Sequence, residues 1–229
     1  MARKTAPKRR RTRPESSVVV IGLGRFGRAL ALELVDEDTE VLGIDEQPEV
    51  VQSLSGSLTH VVRADSTKED ALRQLGVHEF DRAVVAIGTD LEASILTASL
   101  LISFGIKSVW AKAISEAHGR ILTQLGVHHV VYPEHDMGQR VAHLVRGRML
   151  DYIEFDDDFA MVKTNPPADI VGLPLSNSAV RTRYGITVVA IKRPGEGFTY
   201  ATPETVVEAD DTIIVAGRTR ATERFSELR

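Results

Sequence analysis

Val18-Val19-Val20-Ile21-Gly22-Leu23-Gly24-Arg25-Phe26-Gly27 is the stretch whose reading decides the fold. Four β-formers run straight into G-x-G-x-x-G, and a helical pattern follows with Phe26, Leu30, Leu34 and Val35 on one stripe. The glycine pattern alone is a weak signal, but between a strand and a helix it is a strong one. Gly22 permits a tight turn, Gly24 lets a pyrophosphate approach the backbone, and Gly27 allows close packing of helix on strand. The helix start then offers free N–H groups and a positive dipole end to phosphate. Asp45 ends the next strand, 23 residues after Gly22. A carboxylate there accepts hydrogen bonds from ribose hydroxyls, and its charge disfavours a 2′-phosphate and hence NADP.

Working outward, short β-branched runs alternate with helical patterns. Strands are predicted at Val18–Ile21, Val41–Ile44, His60–Val62, Ala83–Ile87, Ser108–Ala111 and His129–Tyr132. They are apolar throughout, as strands covered on both faces by helices should be, which predicts a Rossmann-like, doubly wound parallel sheet of the α/β class. Gly76, Gly105 and Gly126 stand where helices should end. A long helix is expected from about Glu134 to Leu150, with Met137, Val141, Leu144, Val145 and Met149 on one face. It reads equally as a last helix on the sheet or as an arm to a neighbouring subunit. Beyond it a second, small α+β domain is expected. Its strands are Tyr152–Phe155, Ala160–Lys163, Ile186–Ile191, Phe198–Tyr200 and Thr212–Ala216, with a turn at Asp156-Asp157-Asp158 and a short helix near Asn177–Tyr184. The domain plan is therefore a basic tail (1–15), a nucleotide-binding domain (16–133), a crossover helix (134–150) and a second domain (151–229), for which the family resemblance given below implies ligand sensing.

Further candidates lie along the carboxyl ends of the strands. Asp65, with Ser66 beside it, falls near where an adenine would sit, and Ile87-Gly88 closes the fourth strand at the same edge. Arg25, a cation inside the phosphate loop with Phe26 next to it, suits a more highly charged phosphate chain than NAD needs. Lys112 could reach a terminal phosphate. Glu134 could hold a cation bridging phosphates. Asp45 leaves ATP, ADP and NAD open, since all present an adenosine ribose. His128, His129 and His135 cluster in sequence, but consecutive strand residues face opposite ways, which favours structural or surface roles over a metal site.

Composition narrows the function. With no cysteine, disulfides and thiolate chemistry are excluded, which fits a reducing cytoplasm. No apolar run reaches the ~20 residues of a membrane helix, and no apolar h-region follows the basic start, so no signal peptide is expected. The net charge of −4 hides a tail with seven cations in residues 1–14, leaving 21 basic against 32 acidic residues in the body. That tail reads as solvated and disordered, or else as a contact to nucleic acid, acidic lipid headgroups or an acidic partner; for the protein as a whole no nucleic-acid partner is expected. No Tyr-x-x-x-Lys pair, P-loop or other catalytic motif is found. An NAD-dependent oxidoreductase and a DNA-binding redox sensor are the rival readings, disfavoured respectively by the missing acid or base and by the short tail on an acidic body.

In order, Gly-Leu-Gly-Arg-Phe-Gly (22–27), the acidic strand end at Asp45, Val-Ala-Ile-Gly (85–88), Val-Trp-Ala-Lys-Ala (109–113) and Tyr-Pro-Glu-His-Asp-Met-Gly (132–138) closely resemble the RCK (KTN) regulatory subunits of Ktr-type potassium transporters. The resemblance covers about residues 17–225. Val180–Gly185 and Val189–Lys192 resemble the TrkA-C domain. The resemblance implies a non-enzymatic, cytosolic gating-ring subunit, peripheral to the inner face of the membrane. It would bind ATP, ADP or NAD(H), assemble as a homodimer and then an octameric ring, and switch a potassium-translocating membrane subunit of the KtrB or TrkH kind. It further implies that Arg25 reaches a neighbouring subunit's ATP and that Glu134 carries a nucleotide-linked Mg or Ca ion. Cyclic di-AMP would bind in the second domain near Arg181, with Thr187 where relatives carry another polar residue.

Overall fold

A computed structural model describes residues 17–146, 149–155 and 158–228. The basic tail and the Asp156-Asp157 part of the expected turn lie outside the described residues. The chain divides into two units, the first ending at Glu134 and the second running from His135.

In the first unit strands and helices alternate: β1 (Ser17–Ile21), α1 (Arg25–Asp36), β2 (Glu40–Asp45), α2 (Pro48–Ser53), β3 (His60–Arg63), α3 (Glu69–Gln74), β4 (Arg82–Val85), α4 (Leu91–Ser103), β5 (Ser108–Lys112), α5 (Glu116–Gln124) and β6 (His129–Val131). All pairings are parallel and the strand order is β3-β2-β1-β4-β5-β6, a doubly wound Rossmann-like sheet. The order reverses between β1 and β4, and ligands of such sheets bind in the crevice outside the carboxyl ends at that point. β1 shows why its run is apolar without alternation. Val19 and Ile21 enter one core with Ile44, Val85 and Leu101, while Val18 and Val20 enter another with Leu23, Val41 and Leu54. Only the edge strands β3 and β6 are half-exposed. Gly76, Gly105 and Gly126 follow α3, α4 and α5 in the left-handed region. β4 stops at Val85, two residues earlier than expected, because Ile87 turns to pack its backbone against Gly22.

The next helix, α6 (Pro133–Arg146), is shorter than the expected 134–150. Gly147 and Arg148 lie outside the described residues, and Met149 is buried in the second unit's core rather than on the helix stripe. Leu144 packs against that same core, whereas Met137, Val141 and Val145 are exposed.

The second unit continues with β7 (Asp151–Phe155), β8 (Phe159–Thr164), α7 (Leu175–Ser178), α8 (Val180–Tyr184), β9 (Ile186–Lys192), β10 (Phe198–Tyr200), β11 (Thr212–Arg218) and α9 (Thr219–Glu227). Its sheet is antiparallel in the order β10-β9-β11-β8-β7. Alternate residues Ala160, Val162, Ile186, Val188, Ile213 and Val215 point into one core. The single expected helix near 177–184 is two short ones, broken where Ala179 takes a φ of 51°. α9 went unread because only Ala221 and Phe225 carry its apolar stripe, yet Phe225 is 1% exposed at the centre of the core. No helix among the described residues is long and apolar enough to cross a membrane.

Candidate functional site

The glycine loop joins β1 to α1 at the switch point. Gly22 has a φ of 88°, and a Cβ on it would stand 2.9 Å from the Ile87 amide. A Cβ on Gly27 would fall 1.9 Å from the Gly22 carbonyl oxygen. Gly24 differs from both: a Cβ there meets nothing within 4 Å. Two glycines are thus demanded by the chain's own packing, while the third borders open space beside the start of α1. Among the described residues no side chain caps that helix, so its first N–H groups remain available to an anion.

Asp45 braces this loop. One carboxylate oxygen accepts from the Leu23 amide at 2.7 Å and the other from the Gln47 amide at 2.9 Å. A carboxylate offers about four lone-pair directions, so ribose hydroxyls can still be accepted beside these two bonds. The bracing role was missed in sequence, because nothing in the residue order shows that β2 ends against the β1 loop.

Asp65 also accepts locally, from the Thr67 amide at 2.9 Å and the Thr67 hydroxyl at 2.6 Å. Those bonds hold its carboxyl below the usual carboxylate range. Ser66 is buried and shares a 2.8 Å hydrogen bond with Thr97.

On the other side of the loop several predicted residues converge. Lys112 is 8% exposed and ion-pairs with Glu134. Its ammonium stands 5.9 Å from the centre of the Phe26 ring, and a Cβ on Gly88 would lie 3.1 Å from it. The hydrogen bond from Lys112 is the main reason the Glu134 carboxyl lies below its ordinary range, with the Arg25 charge adding in the same direction. Arg25, Phe26, Gly88, Lys112 and Glu134 therefore share one neighbourhood, and the cation bonded to Glu134 is the Lys112 ammonium. The histidines part company. His128 Nδ1 accepts from the Val109 amide at 3.0 Å, His129 stacks on Trp110 at 4.1 Å, and His135 lies exposed beside Asp136. Among the described residues no three His, Asp or Glu side chains gather as metal ligands.

The Lys112–Glu134 pair carries a pH dependence of defined sign. A carboxylate depressed on folding stabilises the fold above its unfolded pKa, near 4.5, and that stabilisation is lost as pH falls through the folded value. Glu134 is largely exposed, so solvent screening keeps the contribution to about 1 kcal/mol. Glu134→Gln is expected to lower stability at pH 7 by that amount and to converge with wild type in acid. Urea melts from pH 7 to pH 3 check this; an unchanged difference at low pH would contradict it.

In the second unit, Arg181 is exposed on α8 and Thr187 is half-buried near the start of β9, on either side of Gly185. Arg183 and Tyr184 both bond Asp169, fixing α8 to the preceding loop.

A doubly wound parallel sheet with this loop at its switch point defines a Rossmann-type domain. The TrkA-N domain model matches residues 18–133 and the TrkA-C domain model residues 159–229. The chain belongs to the TrkA-N/TrkA-C family that includes the Ktr system potassium uptake proteins. It is 36% identical to Ktr system potassium uptake protein C of Bacillus subtilis (strain 168), over 91% of this chain and 95% of that one. Identity to Ktr system potassium uptake protein A of the same organism is 34%, over 90% and 93%. Among solved structures, the GsuK channel bound to NAD shares the fold, with a TM-score of 0.63 at 16% identity. The match covers 96% of this chain but only 40% of that one, so the chain spans less than half of the channel's length.

Proposed function

We propose that this chain is a nucleotide-sensing regulatory subunit of a potassium uptake system, working in the cytoplasm on a separate potassium-translocating membrane subunit and carrying no catalysis of its own. The observation that carries the reading is the open edge at Gly24, with Asp45 on one side and the Arg25, Lys112 and Glu134 charges on the other. Full-length similarity to two Ktr system potassium uptake proteins supports the potassium side, and the GsuK channel bound to NAD, which shares the fold, supports the nucleotide side.

In this reading the α1 N-terminus and the Gly24 backbone hold the phosphates, and Asp45 accepts from the ribose. Arg25 and Lys112 meet the terminal phosphate. Glu134 is a hard oxygen donor suited to Mg or Ca, and such an ion would complete its shell with phosphate oxygens and offset their mutual repulsion. To engage it, Glu134 exchanges its bond to Lys112, which frees the ammonium for phosphate. ATP and ADP then differ in what they leave of the Lys112–Glu134 pair. A ligand shifts a conformational equilibrium only by its differential affinity, and this exchange supplies one. Met137, Val141 and Val145, exposed on α6, form an apolar stripe that self-association into a dimer and then a ring would cover. Cyclic di-AMP binding at Arg181 and Thr187 belongs to the same proposal.

Calorimetry with ATP and ADP, with and without magnesium or calcium, tests it. The ion is expected to improve ATP binding more than ADP binding, and Glu134→Gln to remove that difference while adenosine recognition persists. Equal ion effects on both nucleotides, or an ion effect untouched by Glu134→Gln, would sink the phosphate-sensing role.

A further inference from the structure

At the carboxyl ends of β2 and β3 lies a cavity of about 590 Å³, lined by Glu46, Gln47, Pro48, Arg63, Ala64 and Asp65. Its volume falls in the range of small-molecule pockets. Arg63 has not entered the site so far. It is the register partner of Asp45 across β2 and β3, and its Nε donates to the Glu46 carbonyl at 3.0 Å. That bond anchors the guanidinium at the mouth of the cavity, and its terminal nitrogens enter no ion pair among the described residues.

The charges decide what the cavity can take. Arg63 is the one cation among the lining residues, beside the carboxylates of Glu46 and Asp65, and Lys68 stands 3.8 Å from Asp65. With two cations against two carboxylates the cavity holds no surplus positive charge for a phosphate, whereas a flat neutral heterocycle needs none. Phosphates have their own place at the α1 start, on the far side of Asp45. Glycine loop, Asp45 and cavity therefore follow one another along the sheet edge in the sequence phosphate, ribose, base. Asp65 adds an acceptor. Its Oδ1 takes both bonds from Thr67, while Oδ2, with Lys68 at 3.8 Å among the described residues, can receive an exocyclic amine.

We propose that Arg63 is a base-recognition residue, its guanidinium plane lying on the face of an amino-bearing purine seated in this cavity. The inference rests on the nucleotide reading above and adds the residue that selects the base. A planar, weakly hydrated guanidinium packs on an aromatic face where a lysine ammonium does so less well.

The test is calorimetry on the full chain with ATP, ITP, NADP and inorganic tripolyphosphate, using wild type, Arg63→Ala, Arg63→Lys and Arg63→Gln, each verified as folded by circular dichroism. Arg63→Ala is expected to weaken ATP by about 5- to 30-fold, the range of a lost cation–aromatic stack. Arg63→Gln and Arg63→Lys are expected to lose most of the same affinity, tripolyphosphate binding to stay unchanged, and wild type to prefer ATP over ITP. Full rescue by lysine would overturn the proposal, since charge and not the plane would then matter. So would an equal loss for tripolyphosphate, or a loss confined to NADP, because Arg63 would then be a phosphate contact. Normal ATP binding by Arg63→Ala overturns this inference alone. A wild-type chain that binds no nucleotide overturns it together with the nucleotide reading.

Discussion

A Gly24→Val chain is expected to fold as wild type does and to lose nucleotide binding. The side chain enters open space, since a Cβ at Gly24 meets nothing within 4 Å. The backbone there has a φ of −65°, which any residue adopts without strain. The melting temperature should therefore stay within about 2 °C of wild type. On the proposed nucleotide reading, however, the isopropyl group stands where a pyrophosphate approaches the α1 N–H groups. Losing those contacts should weaken ATP and ADP by at least roughly 100-fold, equivalent to about 2.7 kcal/mol. Calorimetry and thermal melts on the same preparation separate the two effects. Retained ATP affinity would show that phosphate does not pass over Gly24, and the glycine-loop assignment would fail.

Gly27→Ala should do the opposite. Its Cβ would overlap a backbone oxygen, Gly22 O, at 1.9 Å, and lie 3.0 Å from the Ala86 methyl. A carbonyl in a tight turn cannot rotate away as a flexible side chain could. α1 must then lift from the sheet or the loop must reshape, and both expose the cores built around β1. Overpacking of this kind costs about 3 kcal/mol, which for a chain of this size is a fall of about 6–12 °C in melting temperature. Nucleotide binding should fall as well, because the helix start moves with the helix. A Gly27→Ala chain as stable as wild type would mean that helix and strand are not held as close as the structure has them. The two substitutions together distinguish a glycine kept for its ligand from one kept for its fold.

Much of this was legible in the residue order. A run of β-formers, G-x-G-x-x-G and an amphipathic stripe specify β1, the loop and α1 because strand, turn and helix each have a local signature. Asp45 is legible for the same reason, as the acid that ends the following strand. The second unit's strands were found, but α9 was not. Its stripe of Ala221 and Phe225 gains meaning only once the sheet beneath it exists.

By itself, then, the sequence determined the alternating α/β architecture, the glycine loop, the acidic strand end and the family, all of which depend on neighbours along the chain. Tertiary structure alone decided what those residues do to one another. Asp45 is a brace for the Leu23 amide as well as the proposed ribose acceptor. Lys112 is partnered by Glu134, so any cation or phosphate must compete with an existing ion pair. Ser66 is hydrogen-bonded to Thr97, and Arg63 reaches the β2 tip through the Glu46 carbonyl. The physical reason is common to all four. Hydrogen bonds and ion pairs act over about 3 Å, and contacts between residues 17 to 31 positions apart in the chain are made only when the sheet brings its strand ends together.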